Sequence, residues 1–223
     1  MIPWEHLATA VMPDGGGELR LKRRGAEFSI MSGTIELMNS RLSGSEEALS
    51  RLAAERLVGR KAPRILIGGL GMGFTLRAAL AAFGLDARIT VAELVPEVVA
   101  WARGPMADLF AGSLDDSRVG VEIADVAELI RAAPTDWDAI LLDVDNGPEG
   151  LTRKLNDQLY NHSGLAAALA ALSSGGVLGV WSQGPDRGFT KRLRDASFKV
   201  DEIAVRANAG RKGARHVVWM AQR

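Results

Sequence analysis

The chain has 223 residues, and its 27 Lys and Arg balance 27 Asp and Glu, so it lacks the net field that draws a protein onto nucleic acid or an anionic membrane. The hydrophobic fraction of 47% and charged fraction of 24% are typical of a globular protein. The absence of cysteine and the three scattered histidines exclude disulfides, thiolate catalysis and cysteine-ligated zinc, and no metal is expected. Because the first residues also lack the pattern of a signal peptide, we expect a cytoplasmic protein.

The first elements are short strands. Residues 18–23 alternate apolar and polar side chains, and residues 27–37 form a second strand-like stretch that Gly33 interrupts. This pattern predicts a β-hairpin or meander near the start of the chain.

A single helix follows these strands. Ser43 as N-cap, with Glu46 three residues later, predicts a helix from residue 44 to about residue 58. A break in composition comes directly after it. We therefore divide the chain into a small N-terminal β cap with a lead-in helix, residues 1–60, and a larger domain, residues 61–223.

The larger domain alternates short apolar runs with helical patterns. The runs that predict buried strands are residues 64–68, 88–93, 118–124, 137–144 and 176–182. The segments with helical composition are residues 74–83, 96–103, 126–133, 163–173 and 186–196. Such alternation predicts a parallel sheet covered on both faces. Two closing strands, residues 199–206 and 216–222, are near enough in sequence to pair as an antiparallel hairpin.

The first strand of this domain runs into a glycine-rich turn and then a helix. Gly69, Gly71 and Gly73 allow the backbone to approach a ligand, and the helix N-terminus presents N–H groups to it. The spacing departs from the dinucleotide fingerprint, whose third glycine would fall at Phe74, so NAD and FAD are disfavoured. A tight turn without a ligand remains the alternative.

Carboxylates follow the next two strands. Glu93 is placed to accept hydrogen bonds from ribose hydroxyls, and Asp125 from an adenine amino group, with Leu94 and Val126 beside them in the same nucleotide site. The alternatives are a solvated strand end for Glu93 and a helix N-cap for Asp125. Three successive strands thus end in the glycine turn, Glu93 and Asp125, all at one edge of the sheet. We therefore predict a nucleotide site at that edge.

The fourth strand ends in polar residues. Asp143, Asp145 and Asn146 precede a Gly-Pro pair and form a polar rim that could bind an amine or accept its proton. Asx-turn chemistry is the alternative. Tyr160 is a further candidate for the pocket lining, with packing as its alternative.

Together these motifs resemble the spermidine synthase family of aminopropyltransferases. The resemblance covers roughly residues 19–206, including the glycine turn, the Glu-Leu-Val-Pro-Glu run that begins at Glu93, Asp125 and the segment 143–148. It implies an α/β protein with the Rossmann-like methyltransferase fold: a mostly parallel seven-stranded sheet with an antiparallel C-terminal hairpin, preceded by a small N-terminal β region.

The resemblance also implies a reaction. The enzyme would be a transferase of polyamine biosynthesis that binds S-adenosylmethionine or its decarboxylated form and transfers an aminopropyl group to a small-molecule amine. Asp143 would deprotonate that amine, and Glu46, Asp145, Asn146 and Tyr160 would bind it. The implied partners include neither nucleic acid nor membrane, and the resemblance leaves open a homodimer formed through the N-terminal strands.

The sequence departs from the family where the donor's amine is bound. Met72 replaces an Asp of the glycine turn, and a basic stretch, residues 206–215, replaces a segment rich in Tyr and Pro. Two alternatives therefore stay open: a methyltransferase that uses intact S-adenosylmethionine, and a non-catalytic nucleotide-binding module.

Overall fold

The structure is a computed structural model that describes residues 2–132, 134–144, 147–148, 157–208 and 214–223. Two sheets organise these residues: a four-stranded antiparallel sheet at the N-terminus and a seven-stranded mixed sheet after it. Among the described helices, none is long and apolar enough to cross a membrane.

The N-terminal sheet is a meander in chain order. Its strands are β1 (Glu5–Val11), β2 (Glu18–Arg24), β3 (Glu27–Ser32) and β4 (Ile35–Asn39). The second predicted stretch is two strands that reverse at Gly33, whose φ of +56° suits glycine. Strand β1 was not predicted, because most of its side chains keep some exposure and its pattern does not alternate cleanly.

The lead-in helix α1 (Gly44–Arg56) ends slightly earlier than predicted. Ser43 occupies the N-cap position but makes no side-chain cap bond, so the predicted capping box does not form. The Glu46 carboxylate accepts a hydrogen bond from Ser45 Oγ instead, at 2.6 Å.

The larger sheet contains the predicted buried runs. Its strands are β5 (Arg64–Gly68), β6 (Arg88–Glu93), β7 (Val119–Ile123), β8 (Trp137–Leu142), β9 (Leu172–Ser182), β10 (Lys199–Arg206) and β11 (Arg215–Gln222). Their order is β10-β11-β9-β8-β5-β6-β7. The pairs among β5 to β9 are parallel, and β11 pairs antiparallel with both β9 and β10. The predicted fold class, including the C-terminal hairpin, is confirmed.

Helices cover both faces of this sheet. They are α2 (Phe74–Ala82), α3 (Pro96–Arg103), α4 (Ala107–Phe110), α5 (Val126–Ala132), α6 (Asp157–Tyr160), α7 (His162–Ala171) and α8 (Arg187–Asp195). The core on one face joins α1, α2 and α3 to the N-terminal sheet, and the core on the other face joins α5, α7 and α8. Because β5 to β8 are parallel and adjacent, their carboxyl ends meet at one edge.

Candidate active site

An open cleft lies at this carboxyl edge, between the ends of β5 to β8 and the N-terminal sheet. The larger sheet contributes Gly69, Gly71, Ala92, Glu93, Leu94, Val95, Ala124, Asp125, Val126, Asp143 and Val144 to its lining. The opposite wall consists of Met12, Leu19, Leu37 and Met38. The position agrees with the general rule that open α/β sheets bind ligands beyond the carboxyl ends of their strands.

The turn after β5 requires glycine at two positions for different reasons. Gly69 has a φ of +90°, and a Cβ there would lie 2.5 Å from the backbone oxygen of Asp143. Gly73 has a φ of +75°, and a Cβ there would overlap the ring of Phe110. Gly71 faces the cleft opposite Met38. The turn can therefore pack against Asp143 and Phe110 only if Gly69 and Gly73 lack side chains.

Glu93 connects the end of β6 to the glycine turn. Its side chain is buried, at 8% exposure, and its two carboxylate oxygens accept N–H bonds from Leu70 at 3.0 Å and Val95 at 2.9 Å. Burial raises the pKa of Glu93, and the backbone donors, Val95 first, oppose that rise by stabilising the charged form. Glu93 also lines the cleft, where its carboxylate can face a ligand.

Asp125 lies directly after β7 and caps α5. Its Oδ1 accepts the N–H of Ala127 at 2.8 Å, which is the N-cap role weighed from the sequence. The same residue lines the cleft together with Val126 and Leu94, so the cap and a ligand contact are compatible.

Asp143 follows β8 and contacts the first turn of α2. The Thr75 hydroxyl donates a hydrogen bond of 2.5 Å to its Oδ2. Burial first, and then the nearby charge of Glu46, raise the pKa of Asp143 to about 7, although the Thr75 hydrogen bond acts in the opposite sense. A carboxyl group with such a pKa can take up and release a proton near neutral pH.

Glu46 belongs to a group of three hydrogen-bonded side chains, two from α1 and one from β11. Ser45 Oγ lies 2.6 Å from Glu46 Oε2 and 2.9 Å from His216 Nδ1. Burial raises the pKa of Glu46, the Ser45 bond lowers it, and burial lowers the pKa of His216. The three residues thus form a connected polar group behind Asp143.

Of the remaining predicted site residues, the structure describes Tyr160. Tyr160 is buried, at 2% exposure, and packs edge-on against Phe189 with ring centroids 5.6 Å apart, so it does not line the cleft. Asp145 and Asn146 lie outside the described residues. Their roles toward a substrate stay predictions. Among the residues that the structure describes, no group of three or more His, Asp and Glu side chains is arranged to hold a metal ion.

Sequence reasoning missed several residues of the site. The apolar wall opposite the glycine turn comes from Met12, Leu19, Leu37 and Met38, which carry no motif. Thr75 could have been found from topology, because β5 and β8 are neighbours and the helix after β5 must begin beside the residue that follows β8.

Comparisons with known proteins agree with this geometry. The sequence is 34% identical to the polyamine aminopropyltransferase of Mycobacterium tuberculosis (strain CDC 1551 / Oshkosh) over 124 residues. The match covers 54% of this chain and 23% of that protein. No protein-family model matches the chain. The chain thus spans about a quarter of the length of the curated relatives that it matches.

Solved structures extend the likeness to almost the whole chain. A spermidine synthase in complex with the transition-state analogue AdoDATO superposes with a TM-score of 0.75, over 97% of this chain and 72% of that one, at 18% identity. Our chain therefore has the same fold as this spermidine synthase. The spermidine synthase of Thermotoga maritima gives a TM-score of 0.74 over the same shares, at 19% identity. This likeness confirms the predicted fold, including the small N-terminal β region.

Proposed function

We propose that the cleft is the transfer site of an aminopropyltransferase-like enzyme. The observation that carries the proposal is the position of Asp143: a carboxyl group with a pKa of about 7 lies at the cleft floor, next to the glycine turn and at the same edge as Glu93 and Asp125. The similarity to polyamine aminopropyltransferases supports it.

The donor in this proposal is a sulfonium nucleoside, decarboxylated S-adenosylmethionine. The turn at Gly69 and Gly71 lets the backbone approach it, Glu93 accepts hydrogen bonds from its ribose, and Asp125 accepts one from its adenine, with Leu94 and Val126 packing beside the base. Glu93 is suited to the ribose because its two bonds to backbone N–H groups fix both oxygens in place. Thr75 fixes the position of the Asp143 carboxylate through its hydrogen bond.

The chemistry needs only alignment and one proton acceptor. The lone pair of the acceptor amine forms a bond to the carbon attached to sulfur, and the carbon–sulfur bond breaks with its electron pair passing to sulfur. One N–H proton passes to Asp143. Since a sulfonium is already a good leaving group, positioning accounts for most of the rate enhancement.

Calorimetry with three nucleosides tests the donor. We expect decarboxylated S-adenosylmethionine and methylthioadenosine to bind, and we expect amine-dependent release of methylthioadenosine from the former in the presence of putrescine or spermidine. Tighter binding of intact S-adenosylmethionine, with methyl transfer, would replace this proposal by the methyltransferase. If none of the nucleosides binds, the chain is not an enzyme of this kind. The homodimer and the cytoplasmic location stay predictions.

A further inference from the structure

The polar group behind Asp143 joins two elements that are far apart in the sequence. Ser45 and Glu46 lie in the first turn of α1, and His216 lies on β11. Ser45 is fully buried, so its hydroxyl is enclosed between the Glu46 carboxylate at 2.6 Å and the imidazole of His216 at 2.9 Å. In such a chain of buried hydrogen bonds, a change at one partner of the hydroxyl alters the hydrogen bond to the other partner.

The direction of the hydrogen bonds follows from the charge of Glu46. An ionised carboxylate can only accept, so Ser45 donates its single proton to Glu46. Ser45 can then only accept from His216, whose Nδ1 must carry a proton. Because burial lowers the pKa of His216, the ring is neutral near pH 7 and can carry that proton on Nδ1. Both hydrogen bonds point toward the negative charge and stabilise it.

A like charge from α1 also acts on Glu46. Glu47 lies beside Glu46 on α1 and adds negative charge. Asp201 on β10 pairs with Arg56 at the other end of α1, at 2.8 Å.

Two described cations of the basic stretch, Arg206 and Arg215, lie on the opposite face of the sheet from His216. Residue 205 pairs with His216 and shares its face, whereas Arg206 pairs with Arg215 and therefore points to the opposite face. Arg206 and Arg215 are also exposed to solvent. On α2, Thr75 is directed to Asp143, and Arg77 bonds to the backbone oxygen of Leu109 instead.

We propose that His216 is a positioning residue for Asp143: through Ser45 it keeps the carboxylate of Glu46 ionised, and that negative charge makes Asp143 a stronger base. The role toward an amine rests on the proposed function, whereas the coupling between the four side chains does not. Thr75 brings Glu46 close to Asp143, because its Oγ1 lies 3.5 Å from the backbone oxygen of Glu46 and donates a hydrogen bond of 2.5 Å to Asp143 Oδ2. A base is most effective when it titrates near the working pH, and the charge of Glu46 moves Asp143 in that direction.

The test is a titration of the side-chain carboxyl groups by ¹³C nuclear magnetic resonance on the free protein. The Asp143 signal is assigned by its loss in Asp143→Asn. We expect an apparent pKa near 7 for Asp143 in the unaltered chain and a fall of about one pH unit or more in Glu46→Gln, because a like charge is removed.

Two further variants test the role of His216. Ser45→Ala and His216→Phe should move the Asp143 midpoint in the same direction by a smaller amount, because Glu46 then protonates more easily. Phe keeps the edge-to-face contact with Trp181, whose ring centroid lies 4.9 Å from that of His216. His216→Asn is the matched control, since its amide N–H can replace Nδ1–H and should leave the midpoint unchanged.

Two results would overturn the inference. An unchanged Asp143 midpoint in Glu46→Gln would show that Glu46 does not act on Asp143. A shift in Glu46→Gln without any in Ser45→Ala and His216→Phe would show that His216 plays no part. Because the titration needs no substrate, failure of the chain to transfer an aminopropyl group would contradict the proposed function alone.

Discussion

Asp143 carries a negative charge that the fold destabilises. Its pKa rises from about 3.8 in the unfolded chain to about 7 in the folded one. Between these values the folded protein holds a proton that the unfolded chain has released, so the free energy of unfolding falls as the pH rises through this window and stays low above it. Side chains with strongly shifted pKa values of this kind are concentrated at functional sites.

Asp143→Asn should therefore stabilise the free protein, and more so at pH 8 than at pH 5. The amide keeps an oxygen that can accept the bond from Thr75 and carries no charge to bury. Thermal unfolding at the two pH values measures this. Asp108→Asn, an exposed residue on α4, is the control and should show no such pH dependence. An equal gain at both pH values would contradict the raised pKa.

At the scale of elements, the turn between β5 and α2 fixes the cleft geometry. Gly73→Ala combines a left-handed backbone, about 1–2 kcal/mol of strain, with overlap on the Phe110 ring, about 1–3 kcal/mol. Gly71→Ala has the same backbone strain, but its Cβ would meet only the flexible end of Met38, at 3.1 Å. We expect chemical denaturation to show the larger loss of stability for Gly73→Ala. Equal losses would contradict the packing described for this turn.

The central strands of the larger sheet were predictable because they are continuous apolar runs that are buried on both faces, whereas the edge strands β7 and β10 contain no buried residue. Strand β8, for example, is buried along its whole length and was predicted with the correct first residue. Strand β1 was not predictable, because only one of its seven residues is buried. Strand β9 begins at Leu172 and not near residue 176, since its first residues follow α7 without a turn signal.

The same distinction holds for the site. The strand-end positions of Glu93, Asp125 and Asp143 could be predicted because local sequence determines where a strand ends. The contact between Ser45 and His216 could not, because 171 residues separate them and only strand order brings them together. No local pattern indicates such a pair.

At the scale of the whole molecule, the cleft depends on both sheets. The core that contains Leu21 and Ile30 of the N-terminal sheet is continuous with that of Leu49 on α1 and Ile67 on β5. Helix α1 packs on α2 and on strands of the larger sheet, so it links the two parts. The division into residues 1–60 and 61–223 stays a prediction, and the N-terminal part supplies one wall of the cleft in either case.

The central claim is that Asp143 is the base of the transfer reaction. The most direct test measures aminopropyl transfer and nucleoside affinity for both the unaltered chain and Asp143→Asn. The proposed function assigns Asp143 the role of base toward the amine, so we predict that Asp143→Asn loses product formation by about 100-fold or more. Its affinity for methylthioadenosine should stay within a few-fold of the unaltered value. Equal loss of binding and transfer, or full transfer without the carboxylate, would contradict the role assigned to Asp143.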